Sequence, residues 1–148
     1  MKKRKAYIWL VLWMAVIFLF SSQVGEDSSA LSGRLVAVLV WLGIGEGTFL
    51  YENLGLFVRK GAHVTEFLVL FLLAVNAFRN DVADRKKLLA AAFLFTVGYA
   101  VTDEVHQSFV PGRAGVPTDV LIDSIGPILG VAWLTFRERI GKREYHTT

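Results

Sequence analysis

The chain has 148 residues, room for one domain, and 54% of them are apolar. A mean hydropathy of +0.49 excludes an ordinary soluble domain, and the absence of cysteine excludes disulfides, thiol catalysis and thiolate metal sites. The net charge of +3 would suit nucleic acid, but the Lys and Arg form short blocks beside apolar runs, so they read as topology signals and no nucleic-acid partner is expected.

"KKRK" at 2–5 precedes an apolar run that predicts a first span over about 6–23. A cleaved signal peptide competes with this reading. Ser28 and Ala30 match a cleavage site only loosely and lie rather far beyond the run, so a retained span is expected. "LVAVLVWLGI", 35–44, is too short to cross and suits a short interfacial or re-entrant helix over about 31–45. "GIGEGTFLYENLG" then reads as a loop.

The second span is expected over about 61–78. Its uninterrupted apolar part, from Phe67, covers about 18 Å at about 1.5 Å per residue. A hydrocarbon core of about 30 Å then draws His63 and Glu66 into the outer part of the membrane. The third span, about 88–107, continues a short apolar run through "DEVHQ", and the fourth, about 118–136, begins with Asp119 and Asp123. The expected fold is an all-α membrane protein: one domain over 1–148, a four-transmembrane-helix bundle with an extra short helix on its outer face.

Orientation follows from the basic residues. With Lys2–Lys5 in the cytoplasm, four spans place twelve of the sixteen Lys and Arg inside, leaving Arg34, Arg59, Lys60 and Arg113 outside. Nine of the thirteen acids fall outside. A fifth span over 35–57 would put "RNDVADRKK" and the tail outside, against the rule. The chain is therefore read as a multi-pass plasma-membrane protein with both termini cytoplasmic.

This topology gathers the polar residues near the spans at one depth on the outer side. Ser21, Ser22 and Gln23 end the first span, His63 and Glu66 open the second, Asp103 to Gln107 end the third, and Asp119 and Asp123 open the fourth. Helical spacing puts Arg59, His63 and Glu66 on one face, and Tyr99, Asp103 and His106 on another. Asp119, Asp123, Gly126 and Gly130 form a stripe whose glycines admit a close neighbour, within the chain or in a dimer, so the stripe should face the bundle interior. The loop "VPGRAGVPT" forms a defined turn that holds Arg113 over the site, and a guanidinium fork suits phosphate or carboxylate.

"FSSQ", "RKGAHVTEF" and "YAVTDEVHQSFVPGRAGVPTDVLIDSIG" together resemble the VanZ-like family across essentially the whole chain. Phe67 stands where many members have Tyr. The resemblance implies a small bacterial polytopic membrane protein. It also implies a link to low-level resistance to the glycopeptide teicoplanin, without an established mechanism.

The ionisable residues support several readings. As an acid/base centre, His63, Glu66, Asp103, Glu104 and His106 are the catalytic candidates, while Arg59, Lys60, Gln107, Arg113, Asp119, Asp123, Ser22 and Gln23 are the ligand-binding ones. The expected ligand is an anionic envelope lipid or a cell-wall precursor, bound at the outer face, with its processing there left open. A divalent cation is a weaker expectation; its ligands would come from His63, Glu66, Asp103, His106, Asp119 and Asp123. A non-catalytic accessory protein with a structural cluster is the alternative, with Ser21 and Ser22 capping the first helix and bonding across to it. A proton-coupled transporter ranks third, because nothing ionisable continues deep into the lower half of the spans. Lys60 reads equally well as an interfacial snorkel, and Trp9, Trp13, Trp41 and Trp133 as interface anchors or lipid-facing bulk.

Overall fold

The computed structural model describes residues 2–23, 33, 37, 38, 40, 41, 43, 49–113 and 115–144. Among them the regular structure is helical throughout: α1 (Lys2–Ser21), α2 (Phe49–Phe78), α3 (Arg85–Gln107), α4 (Pro117–Asp123) and α5 (Ile125–Glu144). Four stretches are long and apolar enough to cross a membrane: Lys3–Ser21, Asn53–Phe78, Arg85–Gln107 and Pro117–Ile140, the last joining α4 to α5. The short helix expected over 31–45 falls largely outside the described residues.

Two expected boundaries need correction. The second helix begins at Phe49 rather than near Gly61, so the segment from Phe49 to Gly55 is helix instead of loop. Leu54 is buried there, and that packing outweighs the roughly 1 kcal/mol that a glycine such as Gly55 costs in a helix. His63 and Glu66 consequently sit mid-helix, and a short span is not what brings them into the bundle. The fourth span is also broken: α4 ends at Asp123, Ser124 caps it, and α5 starts at Ile125. Pro127 has no N–H to offer the Asp123 carbonyl four residues back, which interrupts the ladder there.

Helix α2 is the hub and packs against all four other helices. Ile17, Phe67, Leu70, Phe71, Ala74 and Ala77 are buried around it. On α3 the spacing Ala92, Thr96, Ala100 presents a narrow, fully buried stripe, and Thr96 keeps its hydroxyl satisfied on the Ala92 carbonyl at 2.8 Å. Small side chains let apolar helices approach closely, which is what drives packing where lipid competes equally for apolar surface. A Cβ on Gly126 would lie 2.5 Å from the Val64 carbonyl oxygen and 2.6 Å from the Leu68 nitrogen, both on α2. The glycine stripe therefore packs within the chain. Its contact holds Asp123 next to α2.

Candidate functional site

The polar residues gather at the end of the bundle where α1 and α3 finish and α4 begins. Helix α3 reaches this end with two working faces. One face bonds α1: the Tyr99 hydroxyl donates to the Met14 carbonyl at 2.7 Å, Asp103 Oδ2 accepts from Ser21 Oγ at 2.8 Å, and His106 Nε2 lies 3.0 Å from Ser22 Oγ. The single Ser22 proton is committed to the Phe18 carbonyl at 2.6 Å, so the imidazole is the donor to Ser22. That arrangement is the reverse of nucleophile activation. The His106 ring also stacks on Phe18 with centroids 4.3 Å apart.

The second face of α3, carrying Glu104 and Gln107, looks into a cavity of about 430 Å³, within the usual size of a small-ligand site. Its charged walls are Arg59, Lys60 and His63 from α2, Arg113 from the loop, and Asp119 and Asp123 from α4. Sequence reasoning did not single out Leu56, Gly112, Val116 and Thr118, which also line it. Leu56 lay between the segment read as loop and the expected second span, and the other three carry no chemistry that a pattern would flag.

Arg113 is positioned by local chain chemistry. Its N–H closes a turn on the Val110 carbonyl at 3.1 Å. Pro111 and Gly112 are the central residues, and Gly112 has φ 75°, the left-handed conformation that a type II turn requires at that point. The side chain then donates from Nε to the Gln23 carbonyl and from Nη1 to Gln107 Oε1, both at 3.1 Å. Gln107 in turn donates through Nε2 to Asp103 Oδ2 at 2.9 Å. These bonds fix the Gln107 amide in one orientation. They also tie Ser21, Asp103, Gln107 and Arg113 into one chain of hydrogen bonds from α1 across α3 to the loop.

The cavity wall carries three cations, Arg59, Lys60 and Arg113, and three carboxylates, Glu104, Asp119 and Asp123, but their pairing is uneven. Lys60 is ion-paired with Asp119. Arg59 and Arg113 form no ion pair among the described residues. Burial lowers the Arg113 pKa from its ordinary value, and the like charge of Arg59 lowers it further; a guanidinium still stays charged at neutral pH. With two of its five N–H donors used, three remain for a ligand.

His63 lines the cavity from α2, its Nδ1 3.7 Å from Asp123 Oδ1 and 4.0 Å from Glu66 Oε2. Both separations exceed hydrogen-bond length. Among the described residues neither His63 Nδ1 nor Asp103 Oδ1 has a hydrogen-bond partner. No group of three or more His, Asp or Glu among the described residues is placed to hold a metal ion. Glu66, Asp103, His106, Ser22 and Gln23 thus surround the cavity without lining it. The Trp13 indole donates to the Glu66 carbonyl at 3.0 Å, so that tryptophan ties α1 to α2. Trp9 and Trp133, by contrast, are exposed on the outside of the bundle.

Four membrane-length helices around a buried polar end define a polytopic helical membrane protein. More narrowly, the chain belongs to the VanZ/LLP1 family, whose model matches residues 6–137. Neither the curated proteins nor the solved structures give a match.

Proposed function

We propose that the cavity binds the anionic group, phosphate or carboxylate, of a cell-envelope lipid or cell-wall precursor at the outer face of the plasma membrane. The observation that carries this reading is the pair Arg59 and Arg113, two guanidiniums facing one cavity with no carboxylate paired to either among the described residues. Partly buried cations of this kind are stabilised by a counter-charge, and a planar fork prefers oxyanions. His63, flanked by Asp123 and Glu66, is the group in the wall best suited to acid/base work if the bound molecule is processed. The positive-inside distribution supports the outward placement of this end, with both termini in the cytoplasm. Resemblance to VanZ-like proteins supports a link to teicoplanin susceptibility.

The test is calorimetric titration of the purified protein with water-soluble dihexanoyl phosphatidate. Arg59→Ala and Arg113→Ala should each weaken binding at least roughly tenfold, as expected for loss of a charge-assisted contact. Unchanged affinity in both variants would sink the reading.

A second reading, the cluster as a structural lock, is favoured for one half of it. The Ser21–Asp103 and His106–Ser22 hydrogen bonds join the end of α1 to α3. Under this division His106→Ala lowers insertion and yield, whereas Asp123→Asn leaves a normally inserted protein with altered binding or activity. A normally inserted His106→Ala protein that has lost only ligand binding would return His106 to the site.

A further inference from the structure

The polar cavity has an apolar neighbour. Between α3 and the start of α4 lies a groove of about 470 Å³, walled by Val101, Val105 and Ser108 on one side and Gly115, Pro117 and Val120 on the other. Glu104 lines both the groove and the cavity. Its Oε1 accepts the Val116 N–H at 2.5 Å, so the partition between the two spaces is one carboxylate clasped to one loop residue. Val116 faces the cavity, while its neighbours Gly115 and Pro117 face the groove.

The groove opens sideways, on the flank a bilayer covers. Val101 and Val105 are 46% and 56% exposed within a membrane-length helix. Further along α3 a second apolar hollow of about 410 Å³ lies between Leu89, Phe93 and Leu94 and the α5 residues Ile128 and Val131. Leu94, Gly98, Val101 and Val105 share one helical stripe. Gly98 sits between the hollows, and a Cβ there would meet nothing within 4 Å. Glycine leaves the α3 surface open between the two hollows, and the α3–α4 groove forms a furrow that ends at Glu104 beside the charged cavity.

A cavity for a charged group beside a furrow for a hydrocarbon chain is the negative of one amphipathic molecule. We propose that the occupant is a single bilayer lipid with an anionic head group: its head lies among Arg59, Lys60 and Arg113, and one acyl or isoprenoid chain lies in the α3–α4 furrow. The head group enters sideways from the bilayer past the Glu104–Val116 clasp. Hydrocarbon gains little on moving from bilayer to furrow, because both are equally apolar. The furrow therefore selects and aligns a lipid already in the membrane, and the head-group contacts supply the affinity.

This inference rests on the anion-binding reading above, and its test separates the two. The full chain in detergent is titrated with dioleoyl phosphatidate and with dihexanoyl phosphatidate, whose chains are too short to fill the furrow, and bound lipid is read by native mass spectrometry. Val101→Trp and Val105→Trp fill the furrow at exposed positions that the fold tolerates; Ile8→Trp, on the exposed side of α1, is the control. Because the tryptophans stand where the chain of a seated head group must lie, they block it sterically, and the expected result is roughly tenfold weaker binding of the long-chain probe in both furrow variants. The short-chain probe and the control should match the wild type. If long-chain binding is unaffected while Arg59→Ala weakens both probes, the furrow is wrong and the anion site stands. Equal loss of both probes in the tryptophan variants also overturns the furrow. If Arg59→Ala weakens neither probe, the anion site falls and the furrow with it.

Discussion

The two ends of the bundle use the same ion chemistry to opposite effect. At one end Lys3 pairs with Asp81, which also accepts from the Tyr7 hydroxyl at 2.8 Å, and Arg85 lies 2.5 Å from Glu138. Those groups are about half exposed, so water and salt screen them and each pair contributes little. At the other end Asp103 is 3% exposed, and Glu104, Gln107 and Asp123 are buried beside it. There the loss of one partner leaves another polar group stranded out of water, which is expensive. Exposed pairs fasten helix ends; buried and only partly neutralised groups make a site. Burial, not composition, separates the two.

The largest expected effect comes from disturbing the contact that creates the buried end. Gly126→Leu drives a side chain into α2 backbone at Val64 and Leu68. Backbone cannot swing aside as a side chain can, so the loss should reach or exceed about 3 kcal/mol. Melting temperature in detergent and membrane-inserted yield are the measurements. Gly130→Leu should be milder, because its obstruction is mainly the Phe71 ring. Equal tolerance of both leucines would show that α5 does not depend on this close approach.

Next comes a matched pair of deletions. Asp103→Ala removes the acceptor of both Ser21 and Gln107 and should destabilise by about 2–3 kcal/mol. Glu138→Ala removes the partner of Arg85 at a side chain 47% exposed, with an expected cost of about 0–1 kcal/mol. Chemical unfolding in mixed micelles compares them directly. Similar losses would erase the distinction between the ends.

The distinction was partly legible in the sequence. Four spans, the polar convergence at one end and the Arg113 turn could all be read from "KKRK", the apolar runs and "FVPGRAG". The division of α3 could not. Asp103 and Glu104 are adjacent letters, yet one turns to α1 and the other to the cavity, and only the placement of α1 decides which. His106 looked catalytic for the same reason: a histidine beside acids carries no mark of what stacks on its ring. The break between α4 and α5 did carry a signal, Pro127 four residues after Asp123, but the apolar run on either side masked it. The start of α2 was hidden because Gly55 reads as a breaker until the packing of Leu54 is known.

A smaller effect tests how the buried network serves the cavity. Gln107→Leu leaves Arg113 held only by the Gln23 carbonyl and leaves Asp103 with the Ser21 hydroxyl. Stability should fall by about 1 kcal/mol. Dihexanoyl phosphatidate should bind several-fold more weakly, since the guanidinium must be ordered during binding instead of beforehand. Gln107→Glu restores an acceptor for Arg113 but adds a carboxylate against Asp103, so it should weaken anion binding further while leaving the guanidinium ordered. Affinity unchanged in both variants would mean that Arg113 is positioned by its turn alone.

The smallest effect is expected at the exposed end, in acid. The hydrogen bond from Lys3, and then that from Tyr7, lower the Asp81 pKa below its usual 3.8. A carboxylate whose pKa is lower when folded contributes stability that is fully present above its unfolded value and disappears as the pH falls through its folded value. Wild type should therefore lose the Asp81 contribution only below about pH 4, and strong salt should weaken it at neutral pH because the pair is exposed. Asp81→Asn removes the charge at every pH. Thermal melts at pH 6 should show a small difference between the two proteins, and melts near pH 3 a smaller one. If the variant is destabilised equally at both values, the tie between α1 and the α2–α3 loop does not depend on charge, and the exposed end holds by the shape of the Asp81–Tyr7 contact alone.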